Sequence, residues 1–408
     1  MDRSAGRLRS LVFTSLAHFT NDGTVFFVPV IAAILAAHHG VSPVVLTLLF
    51  LVFYTSSAVL SPFVGRLADR LGSPATLMGL GLGILSAGLF GFYLALSETS
   101  GPSLVAALLL AALLTGSGSA FYHPLGASLL QAAFRDGSMG IALGVNGALG
   151  SLGRALYPSL YFVAAAVIAG YGAIALFALI GLAAALVIWL GVRVPAGVRM
   201  AAVAPPASRS SEAVTRGIVA LTAVAFLRSA ATQGIASWVP TYLATQRGPG
   251  VSVDLGLTLT VMYAAAVIGQ PIFGLLVDRF EKRAVLGISS AGAAASILGY
   301  LAAPAGPVGL AWLFVFGFFV FSGFPLLLSM AADYVPRGSS SLGNALVWGI
   351  GVGVGGAVGP LLTGLLIGSD YGRLGFAFTV LAGAALLSAL ATALIPRAAR
   401  QTHMPAFG

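Results

Sequence analysis

The chain is poor in charge. Only 8% of its 408 residues are Asp, Glu, Lys or Arg, where a soluble domain has about 25%. The hydrophobic fraction is 58% and the mean hydropathy +1.01. A soluble fold cannot be built this way, because too little polar side chain remains to face water. Cysteine is absent, which excludes a disulfide framework and thiolate metal ligation. Also missing are H-E-x-x-H, a serine in G-x-S-x-G and a potassium-filter sequence, so neither an enzyme nor a selective pore is expected. The net charge of +9 suggests nucleic acid only until the charges are placed. They lie in short loops, where the positive-inside rule accounts for them, and no nucleic-acid partner is expected.

What is present is a series of long apolar runs. A bilayer core needs about 20 residues of helix, and the sequence predicts twelve spans: 10–37, 44–65, 75–97, 103–131, 138–166, 170–192, 217–243, 255–276, 284–303, 308–332, 339–367 and 374–396. The start, MDRSAGRLRS, precedes a run too long for a signal-peptide core, so the first span is read as retained. RVPAGVRMAAVAPPASRSSEAVTR, residues 193–216, is rich in Pro, Ser and Arg and interrupts the series. The expected organisation is a six-helix bundle over 1–194, a linker over 195–216 and a second six-helix bundle over 217–408. Loops on the N-terminal side carry sixteen Arg and Lys residues against Arg247 and Arg373 opposite. That asymmetry places both termini and the linker in the cytoplasm of a plasma-membrane protein.

The two halves echo one another. GRLADRLGSP (65–74) follows span two and GLLVDRFEKR (274–283) follows span eight, both reading G-x-x-x-D-R. Spans five and eleven are both Gly-rich and reach a proline, Pro158 and Pro360. A duplicated six-span unit is a common transporter architecture, with the binding site at the midplane between repeats.

Gly65, Asp69, Arg70 and Gly72 resemble the signature loop of the major facilitator superfamily, with Ser73-Pro74 in place of its basic pair. The likeness implies an all-α membrane fold of twelve helices in two bundles related by a pseudo-two-fold axis, rocking about a central site. It also implies gating at Asp69, Arg70, Asp278 and Arg279; topology determination is the alternative role. AHFTNDG (17–23) and GSGSAFYHP (116–124) look like the fosmidomycin-resistance exporters within it, through His18, Asn21, Asp22, His123 and Pro124. That similarity implies proton-coupled export of a small phosphonate or other compound. The antiporter pattern G-x-x-x-G-P is broken in span five, which has Gly153 then Tyr157-Pro158. It is intact in span eleven as Gly355, Gly359 and Pro360.

The few charges inside the spans carry the functional argument. Asp22 is the one carboxylate well inside a span, and Arg154 and Arg228 are the two cations. Each costs about 2.5–3.5 kcal/mol to insert. His18 lies one turn from Asp22 at i, i+4, and spans three, six, nine and twelve have uncharged interiors. Two arginines against one aspartate leave a positive charge unmatched, and a guanidinium cannot shed its proton. One reading is that Arg154 and Arg228 bind an anionic substrate across the repeat interface. The other is that one arginine pairs with Asp22 while the second binds backbone carbonyls at a helix break. Asp22 is a proton carrier or a fixed counter-ion; His18 relays protons or hydrogen-bonds a neighbouring helix.

His123, Asn344 and Trp348 complete the candidate substrate site, each with a packing alternative. Asn21, Tyr122, Asn146, Gln233 and Trp238 are interhelical hydrogen-bonders first. GIGVGVGG (349–356) lacks the strand and the Lys-Ser/Thr of a phosphate loop. Its Gly351, Gly355 and Gly359 form a small-residue contact face instead. His38-His39 has no carboxylate beside it, and neither metal nor cofactor is expected. The function expected is a monomeric secondary transporter for a small organic anion or drug-like compound, coupled to protons and exporting. The alternative is uptake or exchange of a carboxylate or phosphate-ester metabolite.

Overall fold

A computed structural model describes residues 3–71, 73–98, 100–134, 139–191, 216–248, 250–334 and 345–397. Among these residues every regular element is a helix. In hydrocarbon each backbone N–H and C=O must be satisfied internally, and a helix achieves that within one segment.

The twelve expected crossings are present. Span one is Arg3–His39, span two Pro43–Leu71 and span three Pro74–Glu98. Span four is Gly101–Ser119 continued by Tyr122–Ala133, span five Met139–Ala165 and span six Gly172–Gly191. Span seven is Arg216–Tyr242 with a π-helical turn Leu243–Arg247. Span eight is Val253–Arg279 and span nine Lys282–Ala302. Span ten is Pro307–Phe321 continued by Phe324–Asp333. Span eleven is π-helical over Ala345–Val354 and α-helical over Gly355–Ile367, and span twelve is Leu374–Ala391 after one 3-10 turn. Ten described segments are long and apolar enough to cross a bilayer, and Pro307–Phe321 is shorter. Span five has the length, but Asn146 and Arg154 lower its hydropathy.

Spans four and ten are broken, where the sequence predicts one helix each, that of span four kinked at Pro124. The interruptions fall at residues 120–121 and 322–323. Pro124 and Pro325 follow within the first turn of the resumed helices, where a missing N–H costs nothing. The breaks therefore occupy matching places in the two halves.

The repeat extends further than its loop motif. DGTVFFVP (22–29) in span one aligns with QGIASWVP (233–240) in span seven, and Gly40-Val41-Ser42 matches Gly250-Val251-Ser252. Both turn glycines sit at positive φ, 59° and 72°, a conformation that costs a glycine nothing.

Described hydrogen bonds between the halves run from the face opposite the termini to mid-depth. Tyr371 donates to the carbonyl of Val41 at 2.5 Å. Tyr54 meets Ser237 at 2.9 Å and accepts from Gln233 at 2.7 Å. Thr260 donates to the carbonyl of Ala155 at 2.6 Å, and Gln270 to Ser151 at 3.1 Å. Towards the terminal face the partners part. Phe63, Ile141 and Leu275 are exposed, and a Cβ on Gly144 or Gly274 would meet nothing within 4 Å. The glycine stripe of span eleven packs as expected. A Cβ on Gly355 would lie 2.6 Å from the carbonyl oxygen of Phe226, and one on Gly359 2.3 Å from that of Ala230.

Candidate functional site

Asp22 is held by three helices. Span five comes close enough to span one because it presents glycine twice. A Cβ at Gly150 would fall 2.4 Å from the His18 ring, and one at Gly153 would fall 2.1 Å from the carbonyl oxygen of Phe19. With that approach, Nη2 of Arg154 donates to Oδ2 of the buried Asp22 at 3.1 Å. His18 Nε2 lies 3.4 Å from the same oxygen. His123 Nε2 lies 3.7 Å from Oδ1, and Asn21 donates to Oδ1 at 3.1 Å.

The tautomer of His18 follows from its other nitrogen. Nδ1 lies 2.8 Å from the backbone carbonyl of Asn146 and 3.0 Å from its side-chain oxygen. A carbonyl only accepts, so Nδ1 carries a proton. Nε2 therefore meets the Asp22 carboxylate either with a lone pair, or with a proton of its own as imidazolium. Tyr122 fixes the arrangement by donating to Asn146 Oδ1 at 2.9 Å and stacking on His18 at 4.6 Å between ring centroids. His123 is the open member of the cluster, its side chain 63% exposed against 14% for His18. It faces the central cavity.

Arg154 is also gripped through its π-accepting neighbours. Its guanidinium carbon sits 4.6 Å from the Phe26 ring centroid and 5.2 Å from that of Phe321, within cation–π range. Phe26 is in span one and Phe321 is the last residue before the break in span ten, so Arg154 touches both halves. Arg228 reaches the same break from span seven. Its Nη2 donates to Ser289 at 3.0 Å and to the carbonyls of Phe319 and Val320 at 2.8 and 3.4 Å. The broken helix leaves those carbonyls available. Gly323 makes room, since a Cβ there would lie 3.1 Å from Nη2. Nε of each arginine has no hydrogen-bond partner.

Both arginines, His18, Asp22 and His123 line one cavity of about 230 Å³, closed by Gln233, Gln270, Phe321, Trp348 and others from both halves. The contacts of the arginines are those of the second reading. Arg154 pairs with Asp22 and Arg228 binds carbonyls at a helix break, while both present a guanidinium to the same space. Two guanidiniums against one carboxylate leave the cavity positive.

Other expectations divide. Trp348 lines the cavity, but on a π-helical turn rather than an α-helical face. Asn344 lies outside the described residues. Arg70 and Arg279 stand exposed at the terminal-face ends of spans two and eight; the side chains of Asp69 and Asp278 are outside the described set. His38 and His39 end span one rather than occupying a loop, and His39 meets the Tyr171 hydroxyl at 2.5 Å. Phe26, Phe321 and Gln270 were not foreseen, because apolar and amide side chains in apolar helices give no signal until their neighbours are known. His18, Asp22 and His123 put three ligand atoms within 4.8 Å of one another. Arg154 beside the same carboxylate opposes a divalent cation there.

The chain has relatives. The profile of the Major Facilitator Superfamily matches residues 11–253 and 221–407. The fosmidomycin resistance protein of Escherichia coli (strain K12) is 27% identical over 385 residues, covering 92% of this chain and 90% of that protein. Among solved structures, a mutant of the nucleoside transporter NupG superposes with a TM-score of 0.75 at 13% identity, over 96% of this chain and 100% of that one. A mutant of the peptide transporter POT in complex with sulfate gives 0.72 at 17% identity, over 97% and 98%. A bacterial homologue of the human lysosomal transporter Spinster, in an inward-facing and occupied conformation, gives 0.67 at 16% identity, over 96% of each chain. At these identities the structural likenesses speak for the fold.

Proposed function

This chain belongs to the Major Facilitator Superfamily, and from that premise we propose that it is a proton-coupled carrier of a small organic anion. It is a membrane transporter and not an enzyme. The observation behind the substrate class is the convergence of Arg154 and Arg228, from the two halves, on one cavity that holds a single carboxylate. Arginine suits bidentate recognition of carboxylate, phosphate or phosphonate, and alternating access about a midplane site needs ligands from both repeats.

Protons enter the proposal through Asp22 and His18. The carboxylate is the one acid among the cavity-lining residues, and His18 Nε2 shares its Oδ2 with Arg154. The plasma membrane, cytoplasmic termini, action as a monomer and gating by the Asp69-Arg70 and Asp278-Arg279 loops belong to the same reading. So do the bundle boundaries at 194 and 217. Outward movement of a drug is the direction that likeness to the fosmidomycin resistance protein suggests. Uptake is the second direction, favoured by the bond that an incoming anion and Asp22 compete for at Arg154.

Fosmidomycin itself is the first probe. In proteoliposomes with a pH gradient the wild-type chain is expected to give saturable, gradient-dependent flux of this compound. Arg228→Gln should cut the apparent affinity by on the order of tenfold or more. Unchanged affinity in a variant that inserts normally would remove Arg228 from substrate binding.

A further inference from the structure

We propose that the acid group of the substrate seats on the opened turn of span ten, held between the guanidinium of Arg228 and the backbone N–H groups of Ser322 and Gly323. The proposal rests on the reading of the cavity as an anion site and says where in it the anion lies. The ligand it selects is a small terminal oxyanion: a carboxylate, phosphonate or phosphate.

In a continuous α-helix the carbonyls of Phe319 and Val320 would accept from the N–H groups of residues 323 and 324. Here Nη2 of Arg228 donates to both carbonyls, at 2.8 and 3.4 Å. Ser289 on span nine also donates to the Phe319 carbonyl, at 3.0 Å. Pro325 has no N–H for the next carbonyl, that of Phe321, and Gln270 donates to it at 3.4 Å. The carbonyls of residues 319 to 321 thus all have side-chain donors.

The N–H groups receive no acceptor in return. Among the described residues those of Ser322 and Gly323 have no backbone partner, and both residues are buried. A buried N–H without an acceptor is rare enough to call for one. These groups stand at the start of Phe324–Asp333, a helix of ten residues, whose dipole places partial positive charge there.

Arg228 supplies the full charge. It is 4% exposed and lines the cavity. Its Nη2 serves Ser289 and the two carbonyls, while Nε has no partner and Nη1 makes no hydrogen bond among the described residues. Gly323 lets the guanidinium lie against the break, because a Cβ there would fall 3.1 Å from Nη2 and 3.4 Å from Nη1. An oxyanion can take the unused guanidinium N–H groups with one oxygen and the backbone N–H groups with another. A neutral ligand would leave the arginine unmatched, and a cation would meet two positive ends.

The chain offers no acid of its own for this place. Spans seven and nine contain none, and those of spans eight and ten stand at helix ends, as Asp254, Asp278 and Asp333. Asp333 is paired with Lys282 at 2.6 Å. Asp22, the acid of the cavity, is bonded to Arg154 and Asn21 instead.

The test is amide hydrogen exchange of the purified full-length protein in detergent, with and without methylphosphonate, read on peptides covering residues 319–327. Calorimetric titration with the same compound establishes that it is bound. Exchange at Ser322 and Gly323 should then slow by about tenfold or more. Spans three and six, which do not line the cavity, should exchange as before. Arg228→Lys keeps the charge but loses the fork that holds carbonyls and anion at once, and should bind on the order of tenfold more weakly. Methylphosphonate that binds the wild type without slowing exchange in span ten overturns the seat and leaves the anion site standing. Undiminished binding by a monodisperse Arg228→Lys does the same. Absence of binding by the wild type overturns the anion site and the seat with it. The exchange measurement needs no variant, so a misfolded substitution cannot decide the outcome.

Discussion

Gln233 stands in the second half where Asp22 stands in the first. Each begins the stretch that reads D/Q-G-x-x-x-F/W-V-P, and both line the same cavity. The partner position is also duplicated. Pro158 and Pro360 align spans five and eleven, which puts Gly356 where Arg154 stands, and a Cβ on Gly356 would lie 3.7 Å from Gln233 Cγ. One repeat carries an ion pair where the other carries an amide and a glycine. In the proposed mechanism the proton-binding groups therefore belong to the first half. Gln233→Ala should leave the pH dependence of transport intact, whereas Asp22→Asn should flatten it. Initial rates measured across a pH series decide this.

The ion pair between Asp22 and Arg154 is buried, and removing one member strands the other. Arg154→Gln should destabilise the protein by about 3–5 kcal/mol. Asp22→Asn combined with Arg154→Gln should recover much of that loss, since no uncompensated charge remains. Thermal unfolding in detergent of the single and double variants measures the coupling.

The glycines of span five make opposite predictions at neighbouring turns. A methyl at Gly153 would meet the Phe19 carbonyl oxygen at 2.1 Å, while one at Gly144 meets nothing within 4 Å. Gly153→Ala should lower the melting temperature and disturb the Asp22–Arg154 bond. Gly144→Ala should leave melting unchanged. The pair of melting curves checks both.

Spans five and eight pack antiparallel, as Ala155 with Thr260, Ser151 with Gln270 and Pro158 with Gly256 show. Closure of the terminal face would bring together Gly144 and Gly274, about two turns and one turn beyond Ser151 and Gln270, which stand apart in this structure. Because the chain has no cysteine of its own, a Gly144→Cys/Gly274→Cys variant reports this pairing cleanly. Thr47 of span two lies against Gly364 of span eleven near the opposite face, where a Cβ on Gly364 would meet the Thr47 side chain. Cross-linking of the first pair is expected only when the cavity closes on the terminal face, and should fall when the opposite face is locked shut by a Thr47→Cys/Gly364→Cys bridge.

The architecture was legible because bilayer thickness fixes span length and scarce charge marks the functional helices. Asp22, Arg154 and Arg228 stood out for the same reason: an ionisable group in hydrocarbon is costly enough to demand a role. What the sequence could not supply was pairing. Nothing in it says that Arg154 rather than Arg228 meets Asp22, since that depends on Gly150 and Gly153 bringing span five onto span one. The breaks in spans four and ten were also hidden, because Ser-Gly-Phe-Pro in an apolar run reads equally as a bend. Phe321 acquires its part only from that break, which sets it against Arg154 while the carbonyls just before it face Arg228.

The most direct measurement traps a pH-sensitive dye inside proteoliposomes and adds the anion outside, with no starting pH gradient. Proton coupling predicts a change of interior pH as the anion enters with the wild-type chain, acidification for co-movement and alkalinisation for exchange, and none with Asp22→Asn or Arg228→Gln. An interior pH that does not move with the wild-type chain, or a change that persists undiminished in both variants, would contradict a carrier in which Asp22 takes the proton and the two arginines take the anion.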